Sequence, residues 1–304
     1  MRYRKSVFVM AFATAVALQA GQSAHAKAIK IASCTPTFIA KTAGATYNVV
    51  NNLTATGDCI DVTVPGVTIN LAGFTLTGNG SGAGINIKSG KSGAYIAGPG
   101  IIQEFNIGVS DSANSALIED LLIAGNTTGG ILLSGVDGSV VDGNPSIWFN
   151  GVYGILLVNT TNCLVEGNMD IVANGNGTTG YGIWIQNSST TTTLSHDNVI
   201  AGNMTGPPGP ATQVLGIWVG YNGTVSACPT AAPSEANLIT RNGPVLMSTQ
   251  IGIGLQCNTA TGTTVLNNAA YSSGLFDLYD GNPSCGTNLW DIDAFGTSNQ
   301  SCVK

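Results

Sequence analysis

Three carboxylates, Glu119, Asp142 and Glu166, are spaced 23 and 24 residues apart. If the chain returns to the same place at that interval, they form one outward-facing column with neighbours roughly 5 Å apart. Like charges so close need a cation, raised pKa values, or side chains fanned into water. Calcium bound through oxygen ligands is one outcome. A second is the acid and nucleophile pair of a retaining glycosidase, whose carboxyl groups stand about 5 Å apart. A third is a solvated polar stripe. Arg241 falls in the adjacent column, two repeats beyond Gly167.

A second set is aromatic. Trp184 and Trp218 occupy equivalent outward positions of consecutive repeats, in line with Leu132 and Leu156, and Tyr153 and Tyr181 precede the glycines of their repeats. Flat faces in a row suit the apolar faces of sugar rings and predict a substrate platform. The alternative is a satellite core folded under the long loops of the same repeats. The single mature histidine, His196, lies beside Asp197 in a Thr- and Ser-rich loop and reads as an exposed side chain.

The elements that would position these residues follow from a repeat. A Gly-apolar-x-apolar unit recurs at Gly84, Gly108, Gly130, Gly154, Gly182, Gly216 and Gly252. Between these runs apolar-apolar-x-x-Asn, ending at Asn144, Asn168, Asn203, Asn242 and Asn268. The units are short, rich in β-branched residues and punctuated by Gly and Asn, which predicts strands. A period of 22 to 24 residues with two or more strands per period suits a parallel solenoid. Ile118, Val141, Val165, Ile200, Ile239 and Val265 would stack inward, and the asparagines would share a turn position. Aligned this way, the outward column reads Ala72, Ala97, Glu119, Asp142, Glu166, Ala201, Thr240, Leu266.

The pattern resembles the right-handed parallel β-helix proteins of the pectate-lyase-like superfamily, which carry such asparagine stacks. The stretch from Cys34 to Gly78 resembles the opening segment of secreted bacterial β-helix repeat proteins. The resemblance implies an all-β, right-handed parallel β-helix of about eight coils with N- and C-terminal caps. It speaks to fold rather than activity; taken with the acidic and aromatic sets it points to a protein that binds a polysaccharide or cell-surface glycan and could cleave it as a lyase or glycosidase, with a non-catalytic surface or matrix protein as the alternative. With calcium on the three carboxylates and Arg241 as base, the set would resemble a pectate-lyase site. The paired aspartates, Gly-His-Gly and Arg-x-Lys of polygalacturonase-like enzymes do not occur in the sequence.

Residues 1–26 read as a signal peptide: basic Arg2, Arg4 and Lys5, an apolar run to Ala20, and Ala24-His25-Ala26 before the cut. This predicts an extracellular or periplasmic protein with no membrane span after cleavage. The expected order is a cap over 27–66, the β-helix over 67–270 and a second cap over 271–304. From Lys27 onward seven cations face sixteen acids, a net charge of −9. Such a surface is a poor partner for nucleic acid. Export favours disulfides, and nearest-neighbour pairing gives Cys34–Cys59, Cys228–Cys257 and Cys285–Cys302, leaving Cys163 as a buried small hydrophobe.

Overall fold

The computed structural model describes residues 28–186, 194–206, 213–221, 233–246 and 248–304. The expected signal peptide, Cys228 and residues 187–193, 207–212, 222–232 and 247 lie outside them. Among the described residues every strand pairing is parallel, and successive turns of the chain stack into two long sheets. One path runs through eleven strands from Ile29–Ile31 to Leu289–Asp291; the other runs through ten, from Phe38–Ala40 to Phe276–Asp280. This is the all-β, right-handed parallel β-helix that the repeat predicts. No described helix is long and apolar enough to cross a membrane.

Side-chain alternation explains the stacking. Within each coil the middle residue of the first-sheet strand points inward and meets its equivalents above and below. Ile96, Ile118, Val141, Val165, Ile200, Ile239 and Val265 are in direct register and fully buried. The second sheet adds Ile85, Val109, Ile131, Ile155, Ile183, Ile217 and Ile253. Two carboxylates interrupt this core, Asp111 and, at the far end in register with Leu255, Asp280. Asp111 takes the inward position between Ile87 and Leu133 with no exposed surface. It accepts hydrogen bonds from the Ala113 amide and the Ser139 hydroxyl, both at 2.8 Å.

Buried asparagines fix the corners. Asn144, Asn168, Asn203, Asn242 and Asn268 form the expected ladder, each Nδ2 donating to the Oδ1 of the next at 2.8–3.1 Å. Asp293 ends it, accepting from Asn268 at 2.9 Å. A second ladder, Asn126–Asn150–Asn174, and a third, Asn198–Asn237, turn the other corners.

The segments expected as caps contribute strands to both sheets. Tyr47 and Ile60 are buried in register with Ile69 and Ile85, and Trp290 stacks beyond Val265. Solenoid strands therefore run from Ile29–Ile31 to Ala294–Phe295, inside both segments expected as caps. Those coils use Cys59-Ile60-Asp61-Val62 and Phe276-Asp277-Leu278 in place of the Gly-Ile signature, so the repeat is muted there. Cys34–Cys59 and Cys285–Cys302 are bonded as expected, with Cα atoms 4.8 and 6.0 Å apart. Cys257 is also disulfide-bonded. Cys163 is free and buried, and burial pushes its thiol up to about 12, which keeps it unreactive.

Candidate functional site

Glu119, Asp142 and Glu166 occupy one register position of three consecutive coils, on strands Leu117–Ala124, Val140–Asp142 and Leu164–Glu166. Each follows an inward β-branched residue, so alternation turns it outward. The column continues through Ala201, Thr240 and Leu266 above and Ala97 below. Below Ala97 it meets Asn70, not the expected Ala72. The inward residue of that coil is Ile69, paired with Ile96, which shifts the outward position by two.

The residue after the column is a left-handed corner in coil after coil: Asp120, Gly143, Gly167, Gly202, Arg241 and Asn267 all have φ between 55° and 64°. Arg241 thus stands where lower coils carry glycine. Its exposed side chain, Asp142 and Glu166 rim an open depression of about 410 Å³ whose floor is Gly167, Ala201 and Gly202. Arg241 forms no ion pair within 4 Å among the described residues, so its guanidinium stays available.

Glu119 is set apart. Its Oε1 accepts a short hydrogen bond from the Tyr95 hydroxyl, which holds the Tyr95 phenol above its usual range. Asp142 is half-buried. Burial, reinforced by the charge of Glu119, holds its carboxyl above the ordinary aspartate range. Asp142 therefore keeps its proton to higher pH, the property of a general acid.

For the calcium expectation, Glu119 Oε1 accepts from Tyr95, and among the described residues no three His, Cys, Asp or Glu side chains converge on a metal position.

The aromatic expectation needs correction. Trp184 and Trp218 are in register, as are Tyr153 and Tyr181. Trp218, however, has no exposed surface, and Tyr153 and Tyr181 are about 4 and 5% exposed. They belong to a second apolar cluster outside the second sheet, with Leu156, Leu215 and Ile251. Glycines make room for the rings. A Cβ on Gly254 would fall 2.4 Å from the Trp218 ring, and one on Gly129 would meet Tyr153 at 2.0 Å. Trp184 is half-buried, stacked on Tyr181 with ring centroids 4.1 Å apart, and its Nε1 donates to the Gly220 carbonyl. The row is packed as core.

Sequence reasoning missed a different aromatic pair. Trp148 and Phe149 are 42 and 48% exposed, with ring centroids 5.0 Å apart. They end the strand Ser146–Trp148, in the same coil as Asp142. The dipeptide lies outside both recurring units, and its adjacency to a column residue six positions earlier was the available signal. His196 is exposed, its Nδ1 2.8 Å from Asp197, away from the depression's rim.

Among curated proteins, none matches the chain. Solved structures share its architecture. The A-module of a mannuronan C-5 epimerase from Azotobacter vinelandii aligns with a TM-score of 0.51 at 13% identity, over 84% of this chain and 79% of that one. An alginate lyase from Paenibacillus sp. aligns at 0.49 and 14% identity, over 90% and 99%. A tailspike protein of an E. coli bacteriophage in complex with a pentasaccharide aligns at 0.44 and 10%, over 86% and 56%. At such identities the likeness is one of fold. Residues 102–228 match a family model described as a right handed beta helix region. That stretch holds the carboxylate column and most of the asparagine ladders, and the chain is a right-handed parallel β-helix protein.

Proposed function

We propose that this chain is an exported protein that binds an extended polysaccharide across the depression between Asp142, Glu166 and Arg241 and hydrolyses it there. The observation that carries the reading is the pairing of Asp142 with Glu166 in adjacent coils, over a floor of small residues and beside the exposed Arg241. Adjacent coils are about 4.8 Å apart, the separation at which one carboxyl group protonates a leaving glycosidic oxygen while its neighbour attacks the anomeric carbon. Asp142, whose carboxyl is shifted upward by burial and by the charge of Glu119, is the acid; Glu166 is the nucleophile. In the second half-reaction Asp142, now a carboxylate, takes a proton from the water that releases the glycosyl-Glu166 ester. Arg241 orients the sugar through its hydroxyl or carboxylate oxygens. The mannuronan epimerase with the same fold gives a precedent for polysaccharide chemistry on such a rod. The disulfides agree with export.

A non-catalytic surface or matrix role is the second reading, favoured by the burial of Trp218 and Tyr153. A panel of neutral and uronate-containing polysaccharides separates the two. Reducing ends without ultraviolet-absorbing unsaturated products support hydrolysis. Unsaturated products replace the glycosidase assignment by a lyase. Absence of both, with no retention by any polysaccharide, leaves the structural role.

A further inference from the structure

We infer that Trp148 and Phe149 are a sugar-stacking subsite for a neutral polysaccharide that runs from the Asp142–Glu166 pair around the corner of the rod. The inference rests on the polysaccharide reading above and names the chemistry of its ligand. Large apolar side chains over a third exposed are few among the described residues. Four fall in 271–292 and one, Ile39, in the first coils. The other three are Trp148, Phe149 and Met169. They lie on the two coils that carry Asp142 and Glu166, each three to seven residues beyond its carboxylate.

The neighbours leave the rings free. Trp148 stands between Ala124 and Val172, both smaller. Phe149 carries the stronger signal. It occupies a left-handed corner, φ 53°, that the coil below fills with Gly125 and the coil above with Ala173. A bulky aromatic is strained in that conformation. The corner itself is held by the Asn126–Asn150–Asn174 ladder and needs no ring. Phe149 packs against Trp148 in a tilted pair, and a little under half of each residue's surface remains in water. Phe149 therefore spends backbone strain on an exposed ring.

An aromatic platform recognises the apolar C–H face of a pyranose through dispersion and C–H···π contact. At most about 20 Å of chain separates Asp142 from Trp148 at the extended rise per residue, so an oligosaccharide of a few units reaches both. The net charge of −9 disfavours a polyanion and favours a neutral chain.

The test is affinity gel electrophoresis of the mature chain in hydroxyethylcellulose and galactomannan, with alginate and polygalacturonate as polyanion comparisons. It is run in an Asp142→Asn background so that bound polymer stays intact. The expected result is retardation by a neutral polymer, weakened at least tenfold by Trp148→Ala and by Phe149→Gly. Phe149→Gly should melt at or above the parent temperature, which separates a lost ring from a lost fold. Retention of a polymer with both variants binding like the parent overturns this subsite and leaves the depression standing. Retention only by the polyanions overturns the neutral ligand. No retention of any polymer, together with no cleavage of any by the chain that keeps Asp142, overturns both readings.

Discussion

The Tyr95 hydroxyl reaches diagonally across one coil and donates to Glu119, although Tyr95 is in register with Leu117. That bond divides a column of three like charges into a tethered Glu119 and a free pair, Asp142 and Glu166. The tethered carboxylate still acts on Asp142 through its charge, which adds to burial in raising the Asp142 pKa.

A pH consequence follows for cleavage. With Asp142 as the acid, activity falls as pH rises through its pKa. Glu119→Gln removes a negative neighbour, lowers that pKa and shifts the alkaline limb of kcat/KM to lower pH. Asp142→Asn and Glu166→Gln should each reduce kcat by at least about a hundredfold, the usual scale for a general acid or nucleophile. A pH profile unmoved by Glu119→Gln would remove Asp142 from the acid role.

Asp111 predicts an unusual stability profile. Burial raises its pKa to about 6, against 3.8 in the unfolded chain. Between those values the native state binds the proton and the unfolded state does not. This contribution is therefore fully present below about pH 4 and is lost as pH rises through about 6. Asp293, raised to about 6 at the end of the asparagine ladder, acts in the same direction. Asp111→Asn should flatten the loss between pH 4 and 7 by about 1–3 kcal/mol. The Ser139 hydroxyl, 3.3 Å from the Ala113 carbonyl, can donate there in the variant. Chemical denaturation at pH 4.5, 5.5 and 7 measures the slope. Identical slopes in both proteins would show that Asp111 is ionised in the core.

The ladders predict where the fold is brittle. Asn168 donates to the Val141 and Glu166 carbonyls and to Asn203, and accepts from the Asn144 amide and side chain. Asn168→Ala leaves several buried groups unpaired and should cost roughly 2–4 kcal/mol, since each such group costs about 1–3 kcal/mol. Val165→Asp, three residues earlier in the same coil, should be worse because the new buried charge has no partner. Urea unfolding that leaves either variant like wild type would contradict the coil register.

The parts of this fold legible in sequence were those that repeat with fixed flanks. Val141, Val165 and Ile200 each recur three residues before an asparagine, so both the inward column and the first ladder could be read. Asn126, Asn150 and Asn174 follow Gly, Phe and Ala, and nothing constant marked them as a ladder. Asp111 sits in Val-Ser-Asp where the neighbouring coils have Ile87 and Leu133, so a charge in the core looked like a surface residue. The position of Glu119 was legible, but its partner Tyr95 lies off register. The tryptophan row shows the deepest limit. Alternation correctly placed Trp184 and Trp218 outside the second sheet, yet exposure depends on what later coils lay over them.

Trp218 makes that limit testable. Its ring lies over Gly254 of the next coil and 6.3 Å, centroid to centroid, from Tyr279 of the coil beyond. Gly254 is what admits the ring, since a Cβ there would stand 2.4 Å from it. If Trp218 is core, Trp218→Ala costs about 3–5 kcal/mol. Gly254→Val, which is small-to-large, costs about 1–3 kcal/mol by overpacking the same site. Combining them should be less damaging than the sum, because each removes part of what the other disturbs. Polysaccharide affinity should change in none of the three beyond what unfolding explains. Trp148→Ala gives the opposite pattern, with stability near wild type and binding lost. A Trp218→Ala protein that melts like wild type but no longer binds glycan would return the tryptophan row to the surface.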